Sequence, residues 1–363
     1  MRARPFLLAV LAIVSTVLPV AASAAPTVAS GYTIEAYASG VGAVSGLTLG
    51  PDGLLYAADH NGRILRIDGN GTVTVIASGV PYLNGITFTS SGRLFTAAGG
   101  SQAIFEVAGG VISPFAAMGA STFPTSVTAR GDVLYVSNSG NGTISRVLLD
   151  GSVQQILGGF SVPRGPMGIS FDDVGVMHFI DHATGRVHAW DLVSSPTLLY
   201  SVSPLGGTFT AQGFGGRLFV TDTEAGTLLR IDSAGVAGVF ASGFIGKSGA
   251  PFIGPNGIAY DGEVMFVDDG DTIYRISPVA PTVEQRLAAL LETVNGVGPG
   301  KSLAGKVLHV QERYSIPDIR SACRGLSAFS NEVRAQAGKK IALALAQDLL
   351  AEAEGIQSAM GCY

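Results

Sequence analysis

The sequence predicts an all-β six-bladed propeller whose last blade is closed by the N-terminal strand, followed by a small C-terminal all-α bundle. Three observations predict it. A unit of four short strands recurs at a spacing of about 40 residues, the period of a propeller blade. The last unit lacks a fourth strand, and a copy of that strand stands near the start of the chain. The composition is that of a turn-rich β protein: 50 glycines, 47% hydrophobic residues and only 13% charged residues, about half the usual charged share.

The first 24 residues read as an export signal. Arg2 and Arg4 form a positive start, Phe6 to Val20 an apolar run, and Ala22-Ser23-Ala24 a small-residue cleavage site before Ala25. The alternative is a membrane anchor, but the apolar run is short for a span of about 20 residues. No later stretch is long and apolar enough to span a bilayer. A secreted or periplasmic location is expected. Cleavage would remove Arg2 and Arg4 and move the formal charge from −5 to −7. A mildly acidic exported chain has no electrostatic footprint for nucleic acid.

The clearest unit runs Gly46 to Asp59, then Gly62 to Asp68, then Thr72 to Gly79. Apolar or alternating runs of four to six residues are parted by Asp-Gly and Asn-Gly turn signals. Further units start at Asn84, Ser126, Met167, near Phe209, and at Asn256. The sixth stops after its third strand, at Ile276. The segment Tyr32 to Gly40 matches the fourth strand of the first unit, Val73 to Gly79, and should complete the last blade and leave no open seam. Six blades are counted, with seven as the alternative. A β-sandwich would not explain the near-copies or the circular completion.

Residues 28–276 are therefore expected to form the propeller and residues 277–281 a linker. Residues 282–363 should form a helical module. Thr282 and Gln285 make a capping box, and Leu287, Leu290, Leu291 and Val294 form an apolar stripe that stops at Asn295-Gly296. A second helix is expected from about Lys301 to Tyr314. A third should start with Pro317 as its first residue and bury Ile319, Ala322, Leu326, Phe329 and Val333. A fourth, from about Ala342, should bury Leu343, Ala346, Leu350, Ala353 and Ile356. Both cysteines, Cys323 and Cys362, lie in this module. An oxidising compartment favours a disulfide between them, worth about 4 kcal/mol in the chain-entropy view. Two free buried thiols are the alternative.

Residues 32–276 resemble the NHL/SMP-30-like six-bladed propellers. The resemblance is carried by the Gly46–Asp59 unit, Asn256-Gly-Ile-Ala-Tyr and the Gly-Arg-Ile/Leu third strands. That superfamily includes gluconolactonase-type hydrolases, paraoxonase-like lactonases and streptogramin lyases, so the resemblance speaks to fold more than function. Residues 282–363 resemble the FIMAH-type helical module of exported bacterial proteins, through Asn295 to Leu303, Ala322-Cys323, Phe329, Ala337 to Lys340 and Gly361-Cys362. This second resemblance implies a bacterial exported origin and the same disulfide.

In the metal-dependent relatives, the residues preceding the glycine of each innermost strand ligate a divalent ion in the tunnel. Here the matching ring reads Ser45, Asn84, Thr125, Met167, Phe209 and Asn256. Asn84 and Asn256 are the metal candidates, with Ca2+ as the ion. The ring has no carboxylate, and hard cations want one. Asp52, Asp172 or Asp261 could substitute if the register slips by one or two. The bland reading has Asn84 and Asn256 bonding neighbouring strands. A second series closes the second strands: Asp59, Asn138, Asp181, Asp222 and Asp269, broken by Ala98. One acid per blade suggests turn caps. His60 and His182 follow this series in opposite units and could face each other only near the axis, and His178 and His188 flank one hairpin; as loop histidines they are expected at the surface, with an acid–base role as the alternative. No zinc spacing, phosphate loop or nucleophile elbow is present.

Two functional classes remain. The first is a monomeric binding or interaction protein, with a small molecule or a protein partner on one propeller face. The second is a metal-dependent hydrolase or lyase acting on a lactone or cyclic ester. A purely structural envelope component is a third possibility with no feature arguing for it.

Overall fold

The computed structural model describes residues 25–202, 207–232, 234–245, 254–298 and 301–362. The export segment expected over residues 1–24 lies outside them. The chain divides into two compact units, one ending at Pro278 and the other beginning at Val279.

The first unit is a six-bladed β-propeller. Blades 1 to 4 are four-stranded antiparallel sheets in sequence order, spanning Val44–Ser78, Leu83–Ala117, Pro124–Gly158 and Pro166–Ser201. Blade 5 spans Gly207–Ser242, and blade 6 takes its three inner strands from Ile258–Pro278. The expected closure is present: Tyr32–Ser39 pairs antiparallel with Thr272–Pro278 as the fourth strand of blade 6. The ring is also tied in a way the repeat did not indicate. Thr27–Val28 adds a fifth strand to the outside of blade 5, pairing with Ala241 and Ser242. The start of the chain thus covers the exposed edge of one blade and completes the next.

Apolar layers fill the spaces between blades. Between blades 2 and 3, for example, Phe95, Ile104, Leu134 and Val136 are fully buried together. Strand alternation sends these side chains to one face of each sheet. Near the axis some inner strands run so close to the next blade that a side chain does not fit. A Cβ on Gly46 would lie 2.3 Å from the Asn84 carbonyl oxygen, and one on Gly168 would lie 2.4 Å from that of Thr208. This steric limit explains the glycine repeated near the start of the inner strands.

The ladder is irregular at the same place in five blades. Register shifts fall between Val44 and Gly46, Leu83 and Ile86, Pro124 and Ser126, Met167 and Ser170, and Gly207 and Thr210. A bulge releases a residue from the ladder and re-aims its side chain.

At the hairpin tips, aspartates accept backbone N–H groups two to four residues on. Asp68 takes Asn70 and Thr72, each at 2.9 Å, and Asp232 takes Ala234 and Val236, each at 2.9 Å. Asp52, Asp172 and Asp261 are tip residues of this kind, capping Leu54, Val176 and Glu263. None of the three substitutes for the missing tunnel acid.

The second unit is a bundle of four helices: α1 (Val283–Val294), α2 (Ser302–Ser315), α3 (Ile319–Gln336) and α4 (Leu343–Ala359). The capping box opens α1, with Thr282 and Gln285 bonded reciprocally at 2.9 and 3.3 Å. Three details differ from the sequence reading, the first being that Ile319 is only half-buried. Helix α3 begins at Ile319 rather than Pro317, because Asp318 is its cap and accepts the Ser321 N–H at 3.1 Å. Along α4 the buried stripe is Ala346, Leu349, Ala353 and Ile356, while Leu343 is exposed. Leu349 rather than Leu350 therefore carries the second turn. Cys323 and Cys362 form a disulfide that ties α3 to the end of the chain. Arg286 forks onto Glu352 at 2.8 and 3.0 Å and joins α1 to α4. No described helix is long and apolar enough to cross a membrane.

Candidate functional site

The bulged residues of the inner strands surround a cavity of about 160 Å3 at one mouth of the central tunnel. All six ring positions read from the sequence line it: Ser45, Asn84, Thr125, Met167, Phe209 and Asn256. Strand pairing corrects one of them. Thr210 stands opposite Val220 in blade 5 as Leu47 stands opposite Ala57 in blade 1. By that register Thr208, not Phe209, is the counterpart of Ser45. Both residues reach the cavity. Thr208 is buried and hydrogen-bonded to Thr223.

Most of the ring's polar atoms serve the propeller itself. The Ser45 hydroxyl donates to the Leu83 carbonyl at 2.8 Å, and Asn84 Nδ2 donates to the Pro124 carbonyl at 3.1 Å. Each bond stitches one blade to the next. The amide of Asn84 is thereby oriented, so its Oδ1 faces His60 as an acceptor. His60 Nε2–H donates to it at 2.9 Å. His60 is in this way a wall residue and not the surface loop histidine expected from sequence. Burial holds it below its usual pKa, outweighing the opposing effects of Asn84 and Asp59.

The other histidines depart from the surface reading as well. His182 is buried and donates Nδ1–H to the Gly207 carbonyl at 2.8 Å. His178 is buried in blade 4, and His188 stacks on Phe179 with ring centroids 5.1 Å apart. Sequence offered no signal for this, because the blade interfaces that enclose the rings bring together residues about 20 to 40 positions apart.

Asn256 behaves differently from Asn84. Its main chain is held on both sides: its N–H donates to the Asp268 carbonyl at 3.2 Å and its carbonyl accepts the Thr221 hydroxyl at 3.0 Å. The side chain is buried at 3% exposure, yet Oδ1 has no hydrogen-bond partner among the described residues. Buried amides are ordinarily paired; Asn138 Oδ1 and Gln212 Oε1 are likewise without a partner among the described residues, and of the three residues only Asn256 lines the cavity.

Tyr82 and Phe123 complete the cavity wall. Both are more than 40% exposed and both hold left-handed backbone, at φ 58° and 45°. Such conformations in non-glycine residues cost free energy and concentrate at functional sites.

Among the described residues, the cavity wall contains no carboxylate and no lysine or arginine. The series after the second strands caps turns instead. Asp59 holds Arg63 through its main chain and guanidinium at 2.8 and 2.6 Å, and Asp222 accepts the Ala225 N–H at 3.0 Å. Asp269 accepts the Ile245 N–H at 3.1 Å. Among the described residues no three His, Cys, Asp or Glu side chains gather as a metal cluster. A resident calcium ion takes six to eight oxygens, usually with carboxylates among them. Asn84 Oδ1 is committed to His60, which leaves Asn256 Oδ1 as the uncommitted amide oxygen of the pair. That donor set does not fit a divalent cation, and no reaction step is derived through one.

Comparison with known proteins agrees with this architecture. The strictosidine synthase-like, N-terminal family matches residues 46–67, within the first repeat. No curated protein matches the chain. Among solved structures, a gluconolactonase from Xanthomonas campestris superposes with a TM-score of 0.57 at 16% identity, covering 69% of this chain and 94% of that one. Virginiamycin B lyase from Staphylococcus aureus gives 0.52 at 14% identity, over 68% and 100%. The PQQ domain of a pyranose dehydrogenase from Coprinopsis cinerea gives 0.54 at 13% identity, over 70% and 97%. A hydrolase, a lyase and a redox domain share the scaffold, and identities this low speak to fold alone. By its fold, this chain is a six-bladed β-propeller.

Proposed function

We propose that this chain is an exported binding protein whose propeller seats a small, neutral, partly apolar molecule at the tunnel mouth. One observation carries the reading. Among the described residues, the cavity is walled by Tyr82, Phe123, Met167 and Phe209 together with neutral hydroxyl and amide groups, and burial holds its histidine, His60, below the usual pKa. A charged ligand would lose its hydration there and meet no opposite charge among the described residues of the wall. Export rests on the signal-like first 24 residues and on the Cys323–Cys362 disulfide. On this reading residues 282–363 are an appended adaptor.

The rival is a metal-dependent hydrolase or lyase for a lactone or cyclic ester. It is favoured by the shared scaffold and by Asn84 and Asn256 in the ring. Among the described residues, the wall offers no carboxylate of the kind such a site needs to hold a cation or move a proton.

Calorimetric titration with calcium, alongside melting with and without EDTA, separates the two. The binding reading expects no heat up to millimolar calcium, no shift with chelator, and no hydrolysis of simple lactones. Stoichiometric calcium binding with a lower melting temperature in EDTA would transfer the site to the hydrolase reading.

A further inference from the structure

The left-handed aromatic residues at the tunnel mouth narrow the chemistry of the proposed neutral ligand. One hydrogen bond recurs in blades 1 to 4 and marks their equivalent positions. The residue two before the cavity ring accepts the N–H just beyond the second strand. In blades 1 and 4 Ala43 accepts from His60 at 3.0 Å and Gly165 from His182 at 3.3 Å. In blades 2 and 3 Tyr82 accepts from Gly99 at 3.3 Å and Phe123 from Ser139 at 3.2 Å. Alanine and glycine thus alternate with two rings at one position of the repeat. Tyr82 and Phe123 hold φ 58° and 45° there, a conformation that glycine adopts freely and that costs a bulky residue free energy. Packing offsets little of that cost, because Tyr82 is 56% exposed and Phe123 43%.

The second strand of blade 2 ends in a way that makes room for these rings. A Cβ on Gly99 would lie 2.8 Å from two ring atoms of Phe123 and from Asn84 Nδ2, and one on Gly100 would lie 3.5 Å from the Tyr82 ring. Gly99 is not itself left-handed, so its missing side chain serves its neighbours and not a turn. Blades 1 and 4 carry His60 and His182 at its position.

We infer that Tyr82 and Phe123 are a stacking platform for one planar aromatic ring of the ligand. The inference rests on the neutral-ligand reading of the same cavity. Both rings line the cavity and both keep accessible surface, so a molecule seated there meets them. Apolar burial alone needs no strained aromatic residue; Met167 on the same wall supplies it. A ring pair in offset or edge-to-face contact gains more than its buried area, because the face and the edge carry opposite partial charge. A saturated ring gains the area only. The cavity measures about 160 Å3, close to the roughly 150 Å3 that holds one benzene ring.

Benzyl alcohol, cyclohexylmethanol and tetramethylammonium test this on the full chain by ligand-observed NMR titration. The two alcohols share one heavy-atom skeleton and differ in whether the ring is flat. Benzyl alcohol should bind roughly threefold to tenfold tighter, the worth of an aromatic pair beyond its area. A merely apolar wall would favour cyclohexylmethanol, which has more apolar surface to bury. Tyr82→Gly and Phe123→Gly release the left-handed strain, so each should shrink the preference while the melting temperature holds or rises. The wild-type comparison stands by itself if a variant fails to fold. Equal binding of the two alcohols, or a preference kept in both variants, overturns the stacking inference and leaves the neutral-ligand site standing. Tighter binding of tetramethylammonium than of either alcohol overturns both, since the rings would then hold a cation. Binding of none of the three also overturns both.

Discussion

His60 and Asn84, from adjacent blades, meet at the tunnel mouth: His60 Nε2–H donates to Asn84 Oδ1 at 2.9 Å while the same amide donates to Pro124 of the third blade at 3.1 Å. One side chain thus joins three blades at the cavity wall. Asn84→Leu fills the same space but leaves an N–H and a carbonyl unpaired. It should destabilise the propeller by about 1–3 kcal/mol, read from denaturant unfolding. Asn84→Asp places a carboxylate on the ring nitrogen and should raise the His60 pKa in an NMR titration. An unchanged titration would mean that the pair is not formed in solution.

Acidification is a second test. Burial pushes His60, His178, His182 and His188 below the usual histidine value. The unfolded chain therefore takes up protons before the folded one. Stability from these groups is intact above about pH 6.5, the unfolded value, and is lost as pH falls through the lower folded values. The propeller's melting temperature should be flat from pH 8 to 7 and should drop between pH 6.5 and 5. A flat profile down to pH 5 would contradict the buried placement.

Asp268 is fully buried between the inner strand and the closing turn of blade 6. It accepts the Gly257 N–H, and the Gly270 N–H at 3.1 Å. Burial raises its pKa well above the carboxylate range. The strand register places Ala58, Ala97, Ser137, Ile180 and Thr221 at its position in the other blades. Asp268→Ala should cost about 2–4 kcal/mol by stranding two buried N–H groups. Because its folded pKa is raised, the wild type should lose some stability as pH rises above about 4, and the variant should lack that slope. Equal stability of variant and wild type would show that the two N–H groups find other partners.

The closing strand is tested at Tyr32, whose ring packs 4.8 Å from both Phe214 and Phe240 of blade 5. Tyr32→Ala should cost about 2–3 kcal/mol. The exposed pair between Glu35 of the closing strand and Arg275 of its neighbour should matter much less, at under about 1 kcal/mol when either partner is changed to alanine. Comparable losses at both sites would place the seam's strength in charge rather than packing.

Reduction separates the two units. Both cysteines lie in the helical bundle, so a reductant should lower its transition and leave the propeller's unmoved. The loss expected from opening a loop of 39 residues is about 4 kcal/mol, visible by calorimetry with and without reductant. A shift in the propeller transition would contradict the independence of the units.

Much of this protein could be read from its sequence because the relevant signals are local or repeated. Turn aspartates, strand alternation and the 40-residue unit declare the blades, and the strand copy at Tyr32 to Gly40 declares the closure. The capping box at Thr282 and Gln285 declares the first helix. The ring of cavity residues was also legible, since one residue before a recurring glycine marks it in most blades. Tertiary structure alone decided the rest. In blade 5 Phe209 itself stands at the position of the marker glycine Gly46, so Thr208 takes the place that the repeat assigned to Phe209. Blade packing encloses His60 and His182, which by sequence look like loop histidines. It also gives Asn84 two partners and leaves Asn256 Oδ1 with none among the described residues. The physical reason is distance along the chain. Secondary structure follows from neighbours a few positions away, whereas burial and hydrogen-bond supply at the axis depend on strands about 40 or more residues apart.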